Sequence, residues 1–426
     1  MTQFTSSPQR SSDLAKPANP MRIGLYLFGF DPDIGGGYTF QDDVFRAFVQ
    51  VAHKRADEFV VFGDHPAFPG FVSSLAPPEN IRAVALAPPT FKDRVIEEIN
   101  RAFPMLKRTV GAPGRIARAA TQARLDCLWY VSGGAYEAID IPYIATVWDL
   151  QHRTLPWFPE LSMNGVWDAR ELRHRIFLQR ASYVIVGTEA GRDDVRMMYQ
   201  VPTSRIRIFP HPAPRFALDG EGLTAESARA KFRLPETYLL YPAQFWPHKN
   251  HVNLLRALRH LCERHEKMFT LVLVGSDKGN ESYVRRLVKE YGLIDRVVFL
   301  GFVDRQDLIG LYRGALMLVY ASMGGPENLP PLEAFALGCP VIAADVEGAK
   351  EQLADAAVFF NPCDSAHIAE TIHRVSEDTA LCQALRARGL LRAHRWTAEH
   401  FVSGVFSLFD EFSTVRQCWP QMGPCS

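Results

Sequence analysis

Three loops of this sequence combine glycines, a lysine and carboxylates in patterns that suit the binding of a phosphorylated ligand. The first, GFDPDIGGGYTFQDDVF at 29–45, places three consecutive glycines before a helical pattern. The second, WPHKNH at 246–251, holds Lys249 at a turn. The third, SMGGPENLPPLEAFALG at 322–338, contains a glycine turn, three prolines and Glu333. Glycines let backbone N–H groups approach an anion closely, and a lysine supplies a point charge for a diphosphate.

The glycine-rich first loop has two interpretations. Gly36 and Gly37 would aim N–H groups at an anion where a helix begins near Gln41. The loop lacks the G-x-G-x-x-G spacing of a dinucleotide fold, so a flexible turn is the alternative. The loop also contains the D-x-D pattern Asp31-Pro32-Asp33, but no His or carboxylate cluster accompanies it. We therefore expect no metal site.

The second and third loops predict two helix starts that face each other. Asn250 is expected to cap the helix after Lys249, for which a plain surface lysine is the alternative interpretation. In the third loop Leu329 is followed by two prolines that suit a first helical turn, and Gly338 suits the end of that helix. A helix N-terminus stabilises a phosphate by up to ~2 kcal/mol. Glu333 in this helix would accept two sugar hydroxyls, unless it only reflects the preference of carboxylates for helix starts.

Strand patterns in two consecutive sets would position these loops. Short apolar runs alternate with longer amphipathic stretches through 22–211, and the pattern restarts after a proline-punctuated, charged stretch at 212–236. Continuous apolar strands separated by helices predict parallel sheets that are covered on both faces. We therefore predict an α/β chain with two Rossmann-like, doubly wound parallel-sheet domains that face each other across a cleft. Ligands are expected in that cleft, outside the carboxyl ends of the strands.

The same patterns divide the chain into segments. Residues 1–20 are polar and rich in Pro and Ser, which predicts a disordered arm without the apolar stretch of a signal peptide. Residues 21–215 form the first predicted domain and residues 216–395 the second. Trp396-Thr397 predicts a helix start, and we expect 396–426 to return to the first domain and complete it.

Composition excludes several classes of protein. The 426 residues carry 47 Lys and Arg against 47 Asp and Glu, so a globally basic nucleic-acid binder is not expected. The seven cysteines form no C-x-x-C pair, which argues against a zinc knuckle and favours reduced cytosolic thiols. No apolar run approaches the 18 residues that a membrane span needs. We expect a cytoplasmic protein whose membrane contact is at most peripheral.

One segment departs from this neutral balance. Residues 99–125 contain no acid and six basic residues interleaved with apolar ones: Arg101, Lys107, Arg108, Arg115, Arg118 and Arg124. Such a segment suits an anionic lipid surface at the inner face of a cell membrane. A solvated helical face is the equally supported alternative.

Taken together, PPLEAFALGCPVIAADVEGAKE at 330–351, HKN at 248–250 and the glycine-rich first loop resemble the retaining GT-B glycosyltransferases of family 4, over residues 21 to about 410. The resemblance implies metal-independent transfer of a hexose or deoxyhexose from a nucleotide diphosphate sugar to a saccharide or polyprenyl-linked glycan acceptor in polysaccharide synthesis. The sugar nucleotide would be a co-substrate, and no cofactor is implied. GDP-mannose is favoured by the resemblance only.

The resemblance also implies roles for individual residues. It assigns the diphosphate to Lys249 and the ribose hydroxyls to Glu333, and the whole donor site would comprise Gly36, Gly37, Gln244, Lys249, Asn328, Leu329 and Glu333. The candidate catalytic residues are Lys249, Glu327, Asp149 and His152. For Asp149, a structural cap is the alternative.

Three departures from the family pattern concern the transferred sugar. The first glutamate of the family's E-x7-E motif falls on Gly325, the arginine of its G-R…K-N stretch on Gln244, and the histidine before Asp149 on Trp148. We therefore expect either Glu327 or the backbone of 324–328 to cover the donor sugar. Two other functions stay open: a nucleotide-sugar epimerase on the same fold, for which no acid–base pair is evident, and a non-catalytic sugar-nucleotide-binding protein.

Overall fold

The computed structural model describes residues 20–29, 36–65, 68–93, 95, 114–133 and 137–420. Several features singled out above lie outside the described residues. They are the predicted arm up to residue 19, the Asp31-Pro32-Asp33 pattern, and the part of the basic segment from 99 to 113.

The first domain is built on a seven-stranded parallel sheet. Its strands are β1 (Arg22–Leu27), β2 (Glu58–Gly63), β3 (Ile81–Ala85), β4 (Cys127–Tyr130), β5 (Tyr143–Thr146), β6 (Tyr183–Val186) and β7 (Ile206–Ile208). The strand order is β3-β2-β1-β4-β5-β6-β7, and each neighbouring pair is parallel. The order reverses between β1 and β4, which is the place where open α/β sheets form a ligand crevice.

Helices cover both faces of this sheet, which explains why its strands are almost continuously apolar. In chain order they are α1 (Gly36–Ala52), α2 (Phe68–Ser74), α3 (Arg115–Gln122), α4 (Gln151–Thr154), α5 (Pro159–Ser162), α6 (Val166–Arg180) and α7 (Glu189–Tyr199). All four residues of β4 are buried, as are all four of β5. Gly24 in β1 is required because a Cβ there would overlap Leu125.

The second domain repeats this design with six parallel strands. They are β8 (Tyr238–Pro242), β9 (Thr270–Val274), β10 (Val297–Phe299), β11 (Met317–Tyr320), β12 (Val341–Ala344) and β13 (Ala357–Phe360). Their order is β10-β9-β8-β11-β12-β13, so the reversal falls between β8 and β11. The loops that carry Lys249 and Glu333 follow these two strands, at the carboxyl ends of the sheet. The two parallel-sheet domains confirm the predicted α/β fold class.

The second domain's helices begin within the stretch expected to separate the domains. They are α8 (Arg215–Asp219), α9 (Ala225–Phe232), α10 (His251–His265), α11 (Glu281–Glu290), α12 (Arg305–Gly314), α13 (Leu329–Ala336), α14 (Ala349–Leu353), α15 (Ser365–Glu377) and α16 (Thr379–Ala393). Thr224 caps α9 by accepting a hydrogen bond from Ser227 N, and Lys231 of α9 pairs with Asp307 of α12 at 2.6 Å. The stretch at 212–236 is therefore largely helical and packs on the second domain.

The last helix, α17 (Ala398–Arg416), lies against the first domain. Phe401, Phe409 and neighbouring apolar residues of α17 share a core with β1, β2 and α1. Arg416 donates a 2.8 Å hydrogen bond to Asp126, just before β4. Thr397 and His400 form a capping box at its start, which confirms the helix start predicted there.

The bounds of α1 differ from the expectation. The helix begins at Gly36, not near Gln41, so the glycines form its first turn. Gln41 Nε2 donates to Phe28 O at 3.0 Å and ties this turn to the end of β1. Among the helices that the structure describes, none is both long enough and apolar enough to cross a membrane.

Candidate functional site

A cavity of about 900 Å³ lies between the two domains, at the carboxyl ends of both sheets. Its size suits a nucleotide sugar, because small-molecule sites typically measure about 300 to 1,000 Å³. The structure brings nine residues of the predicted site to its wall: Gly36, Gly37, Asp149, Gln244, Lys249, Glu327, Asn328, Leu329 and Glu333. Of the predicted residues, His152 alone is missing from this wall.

Gly36 and Gly37 bring the first domain close to the helix start of the second. A Cβ placed on Gly36 would lie 3.4 Å from Leu329 Cδ1. A larger side chain there would push the two domains apart or fill the space between them. The first turn of α1 therefore approaches α13 directly across the cleft.

Lys249 ends a short 3-10 turn, Pro247–Lys249, that follows β8. Its Nζ lies 3.2 Å from the Tyr320 hydroxyl and 3.4 Å from Ser322 Oγ. Within the described ranges it has no carboxylate partner within ion-pair distance. A cation held by two hydroxyls rather than by an acid keeps its charge available for an anionic ligand.

Asn250 does not cap the helix after Lys249, which corrects the expectation. It adopts a left-handed backbone with φ of 59°, and its side chain makes no cap hydrogen bond. Instead Nδ2 donates to Ala321 O at 3.1 Å and Pro362 O at 2.8 Å. The amide is buried and joins the segments after β11 and β13, so tertiary partners replace the local cap.

The N-terminus of α13 confirms the start and end predicted from its prolines and from Gly338. Leu329 is the first helical residue, and Gly338 beyond the helix has a positive φ of 69°. Asn328 precedes the helix in an extended conformation; its Nδ2 donates to Gly325 O and its N–H to Gln352 Oε1. Because the next two residues are prolines, Leu329 carries the only N–H of the first three helical positions.

Glu333 lies one turn into α13 and faces the cavity. Its Oε2 accepts a 2.7 Å hydrogen bond from the Tyr312 hydroxyl. Burial raises the pKa of Glu333 to about 7, although the Tyr312 hydrogen bond opposes this shift. Hydroxyl donors from a ligand would favour the charged carboxylate.

Glu327 connects the second domain to the first. Its Oε1 accepts a 2.7 Å hydrogen bond from His211 N, and its Oε2 lies 3.6 Å from His211 Nδ1. Burial raises the pKa of Glu327 to about 8 and lowers the pKa of His211 to about 4, so burial disfavours the charged form of both groups. Gly187 is needed beneath this contact, because a Cβ there would collide with the Glu327 carboxylate.

Asp149 and Gln244 occupy opposite sides of the cavity. Asp149 Oδ1 accepts a 2.9 Å hydrogen bond from Gln151 N and lies 3.6 Å from the Arg170 guanidinium. Gln244 Oε1 accepts from Trp246 Nε1 at 3.0 Å, and its Nε2 lies 3.4 Å from Ser276 Oγ. Asp149 thus both caps the short helix α4 and reaches the cavity, whereas Gln244 brings an amide where the family pattern has a cation.

His152 does not reach the cleft, which corrects the expectation that it is a catalytic candidate. It is fully buried, its Nε2 lies 3.1 Å from the Tyr199 hydroxyl, and its ring stacks on His174 at 5.1 Å. Burial and the nearby Arg170 lower the pKa of His152. It lies three positions after Asp149, and the turn of α4 directs its side chain into the core beside α6 and α7.

Several site residues had no clear signal in the sequence. Glu160 Oε1 accepts a 3.0 Å hydrogen bond from His248 N and lies 2.7 Å from His248 Nδ1. Arg305 crosses the cleft from α12, with Nη1 3.8 Å from Asp42 Oδ2 and its guanidinium 5.8 Å from the Tyr38 ring. These contacts join segments that are distant in sequence, so no motif or residue spacing predicts them.

Two arginines of the basic segment are committed to contacts within the fold. Arg115 pairs with Asp64 at 2.6 Å, and Arg118 pairs with Asp93 at 2.5 Å. Arg115 is mostly buried, with 14% of its side chain exposed. Any contact of this segment with an anionic surface therefore depends mainly on its other basic residues.

The structure also bears on metal binding, within the ranges that it describes. No three His, Cys, Asp or Glu side chains there lie close enough together to hold a metal ion.

The fold and the cleft define a two-domain α/β protein of the GT-B type. The family model Glycosyl transferases group 1 matches residues 224–392, which run from the start of α9 to the end of α16. The match thus covers the domain that carries Lys249 and Glu333.

Two curated relatives are about one quarter identical to this chain over the stretches that align. A serotype-specific mannosyltransferase, WbdA, of Escherichia coli is 26% identical over 224 residues, which are 51% of this chain and 27% of the relative. O-antigen chain mannosyltransferase B of Escherichia coli is 26% identical over 233 residues, 52% of this chain and 59% of the relative. The chain therefore spans less than two thirds of the length of these relatives.

Solved structures resemble the chain over both domains. A glycosyltransferase from Rickettsia africae has a TM-score of 0.68 at 15% identity, covering 92% of this chain and 98% of that one. Anabaena Alr3699/HepE in complex with UDP and glucose has a TM-score of 0.66 at 17% identity, covering 91% and 99%. At these identities the likeness shows the fold.

Proposed function

We propose that this protein is a retaining, metal-independent glycosyltransferase that moves a hexose or deoxyhexose from a nucleotide diphosphate sugar to a saccharide or lipid-linked glycan acceptor. One observation carries the proposal. Lys249, the N-terminus of α13 and Glu333 share one wall of the interdomain cavity and face the glycine turn of α1. This arrangement offers a cation and a helix start to a diphosphate and a carboxylate to a ribose.

Lys249 would stabilise the charge that develops on the leaving diphosphate. It lies at the end of β8 with no acid partner among the residues described, and the Tyr320 hydroxyl holds its Nζ. Leu329 N–H at the start of α13 would add a second donor, helped by the helix dipole. Such electrostatic stabilisation is usually the largest single contribution to lowering a group-transfer barrier. Because Gln244 is uncharged, Lys249 and the N-terminus of α13 would have to stabilise the charge on the diphosphate without it.

Glu333 would hold the donor's ribose. The Tyr312 hydroxyl donates a hydrogen bond to Glu333 Oε2, and Glu333 lines the cavity. Paired ribose hydroxyls suit a carboxylate, which accepts several hydrogen bonds at once. Their donation would return the pKa of Glu333 toward that of an ordinary carboxylate, so donor binding and ionisation are coupled.

The acceptor would enter from the first domain, beside Asp149. In a retaining reaction of this kind the departing phosphate takes the acceptor's proton, so no dedicated base is needed. Asp149 would then orient the acceptor hydroxyl, while Trp148 forms an apolar wall: its ring meets Phe40 edge-on at 5.6 Å. Glu327 and the 324–328 turn would close over the transferred sugar.

The identity of the sugar and acceptor rests on the names of relatives. The matched Escherichia coli proteins are called mannosyltransferases, and one is assigned to the O-antigen chain. These names favour mannose as the sugar and a lipid-linked glycan as the acceptor. They also favour a place at the inner face of the cell membrane, where such glycans are assembled, with peripheral attachment.

Radiolabelled nucleotide sugars test the proposal. The full chain is incubated with labelled GDP-mannose and a panel of other sugar nucleotides, together with a total glycolipid extract. Label in a lipid-linked product supports transfer, and the Lys249→Ala variant should lose it. Label in an epimeric sugar nucleotide would instead identify an epimerase. Label that stays only in a bound complex would identify a non-catalytic binding protein.

A further inference from the structure

Glu160 reaches across the cleft from the first domain and holds the turn that carries Lys249. It lies in α5, and its carboxylate contacts the second domain through a single residue, His248. Oε1 accepts the backbone N–H of His248 at 3.0 Å and lies 2.7 Å from Nδ1 of the same residue. Lys249 is the next residue in the chain, so both contacts restrain the backbone immediately before it.

The contact is buried on both sides. The side chains of His248 and Glu160 are 10% and 8% exposed. Burial lowers the pKa of His248 to about 4; the charge of Lys249 contributes to the shift, whereas Glu160 and Asp149 oppose it. Because a carboxylate only accepts hydrogen bonds, the proton of this contact lies on His248 Nδ1, which donates to Glu160 Oε1.

The second carboxylate oxygen of Glu160 takes no part in these hydrogen bonds. Oε2 is buried and has no hydrogen-bond partner within the described part of the chain. The contact between the domains thus forms two hydrogen bonds but leaves one buried oxygen without a partner, which is unfavourable. The contact thus depends on Oε1 alone.

The Glu327 contact shares the backbone hydrogen bond of this arrangement, with the domains exchanged, but has no side-chain hydrogen bond to His211. There the second domain supplies the carboxylate, and the first supplies the backbone N–H of His211, at 2.7 Å. Two Glu–His contacts thus join the domains on the wall of one cavity. Only the Glu160 contact adjoins the lysine that we assign to the diphosphate.

We propose that Glu160 is a positioning residue: it fixes the 247–249 turn, and with it Lys249, against the first domain. The charge of Lys249 then has its working position only when the two domains meet around the substrates. This inference rests on the proposed function, because it assumes that Lys249 acts on a donor diphosphate. A misplacement of about 1 Å in a charged group costs up to ~10²-fold in rate.

Hydrogen exchange tests the contact without any activity. In the wild type the His248 amide should exchange slowly, because Glu160 accepts its N–H. Glu160→Ala should raise its exchange rate by roughly 10-fold or more, whereas Glu160→Gln keeps an acceptor oxygen and should raise it less. The matched control is Glu58→Ala. Glu58 is an exposed residue of β2 that pairs with Arg22 of β1, far from the His248 contact. Equal exchange in wild type and Glu160→Ala would overturn the proposal.

Kinetics then separate positioning from binding. Glu160→Ala should lower kcat by roughly 10- to 100-fold. The Kd for a nucleoside diphosphate, measured by calorimetry, should change much less, because the Leu329 N–H and Glu333, which Glu160 does not contact, also hold that ligand. Glu160→Gln should restore most of kcat. An unchanged kcat, or a loss of affinity with kcat preserved, would refute the assigned role. If the wild type transferred no sugar at all, the proposed function would fail, while hydrogen exchange would still judge the contact.

Discussion

Lys249 Nζ lies 3.2 Å from the hydroxyl of Tyr320 at the end of β11. That hydroxyl in turn donates a 2.8 Å hydrogen bond to Asn328 Oδ1, immediately before α13. The lysine after β8 and the helix start after β11 are thus joined at the point where the strand order of the second sheet reverses. Tyr320 thus links both of the groups assigned to a diphosphate.

Removing the lysine charge should slow transfer without unfolding the protein. Lys249→Ala is expected to lower turnover by roughly 10²- to 10³-fold, as loss of a preorganised transition-state donor does. The melting temperature should stay near that of the wild type, because the side chain lines a cavity. Steady-state rates at saturating donor measure the effect, with Lys289→Ala, an exposed lysine of α11, as control. A wild-type rate in Lys249→Ala would remove the lysine from the mechanism.

Replacing Glu333 and replacing Glu327 should have different effects on donor binding and turnover. Glu333→Gln should weaken binding of both the free nucleoside diphosphate and the intact donor, because both contain the ribose. Glu327→Ala should leave nucleoside diphosphate affinity nearly unchanged and lower turnover, because its contact joins the domains over the transferred sugar. Calorimetry with the nucleoside diphosphate, beside steady-state rates, distinguishes the two. If Glu327→Ala kept full turnover, the backbone of the 324–328 turn would hold the sugar instead.

The stability of the protein should depend on the ionisation of Glu327. Burial raises its folded-state pKa to about 8 from the 4.5 of an unperturbed glutamate. The contribution of the neutral group is therefore fully present below pH 4.5 and is lost as the pH rises through about 8. Glu327→Gln has no such titration, so its urea midpoint should rise relative to that of the wild type between pH 5 and 9. Midpoints that shift in parallel across this range would show that Glu327 ionises freely in the folded state.

Chelation should not affect the reaction. The proposed mechanism uses Lys249 and a helix start in place of a divalent cation, so activity in excess EDTA should equal that without it. The measurement is the transfer rate before and after dialysis against the chelator. Activity that disappeared and returned with Mg²⁺ or Mn²⁺ would identify a metal site, and Asp31 and Asp33 would be the first ligands to replace.

The basic segment should bind anionic vesicles in a salt-dependent manner. Each charge near such a surface contributes about 1 kcal/mol and is screened within a Debye length. Because Arg115 and Arg118 form ion pairs within the fold, the test replaces Arg101, Lys107 and Arg108 together with glutamine. Flotation with anionic vesicles should fall with salt and in this variant, and neutral vesicles serve as control. Equal binding by variant and wild type would mean that the basic segment is only a solvated face.

Much of the fold could be predicted because its signals are local. The apolar runs that became β1 to β13, the two prolines and the glycine that bound α13, and the capping pair before α17 each act over a few residues. Backbone propensity and strand periodicity operate at that range, so these elements can be predicted from the sequence. The start of α1 could not be predicted from local signals alone. The helix begins at Gly36, and Gln41 in it is bonded to Phe28 after β1, which is a contact between separate segments.

The tertiary structure decided which polar side chains face the cleft. Asp149 and His152 looked equivalent in the sequence, yet one lines the cavity and the other is buried against Tyr199. Glu160 and His248 are 88 residues apart, and His211 and Glu327 are 116 apart. By itself the sequence determined two parallel sheets and the loops that carry Lys249 and Glu333. The partners and burial of each charged group were decided only in the folded chain, because they depend on segments too distant in sequence for local propensity to reach.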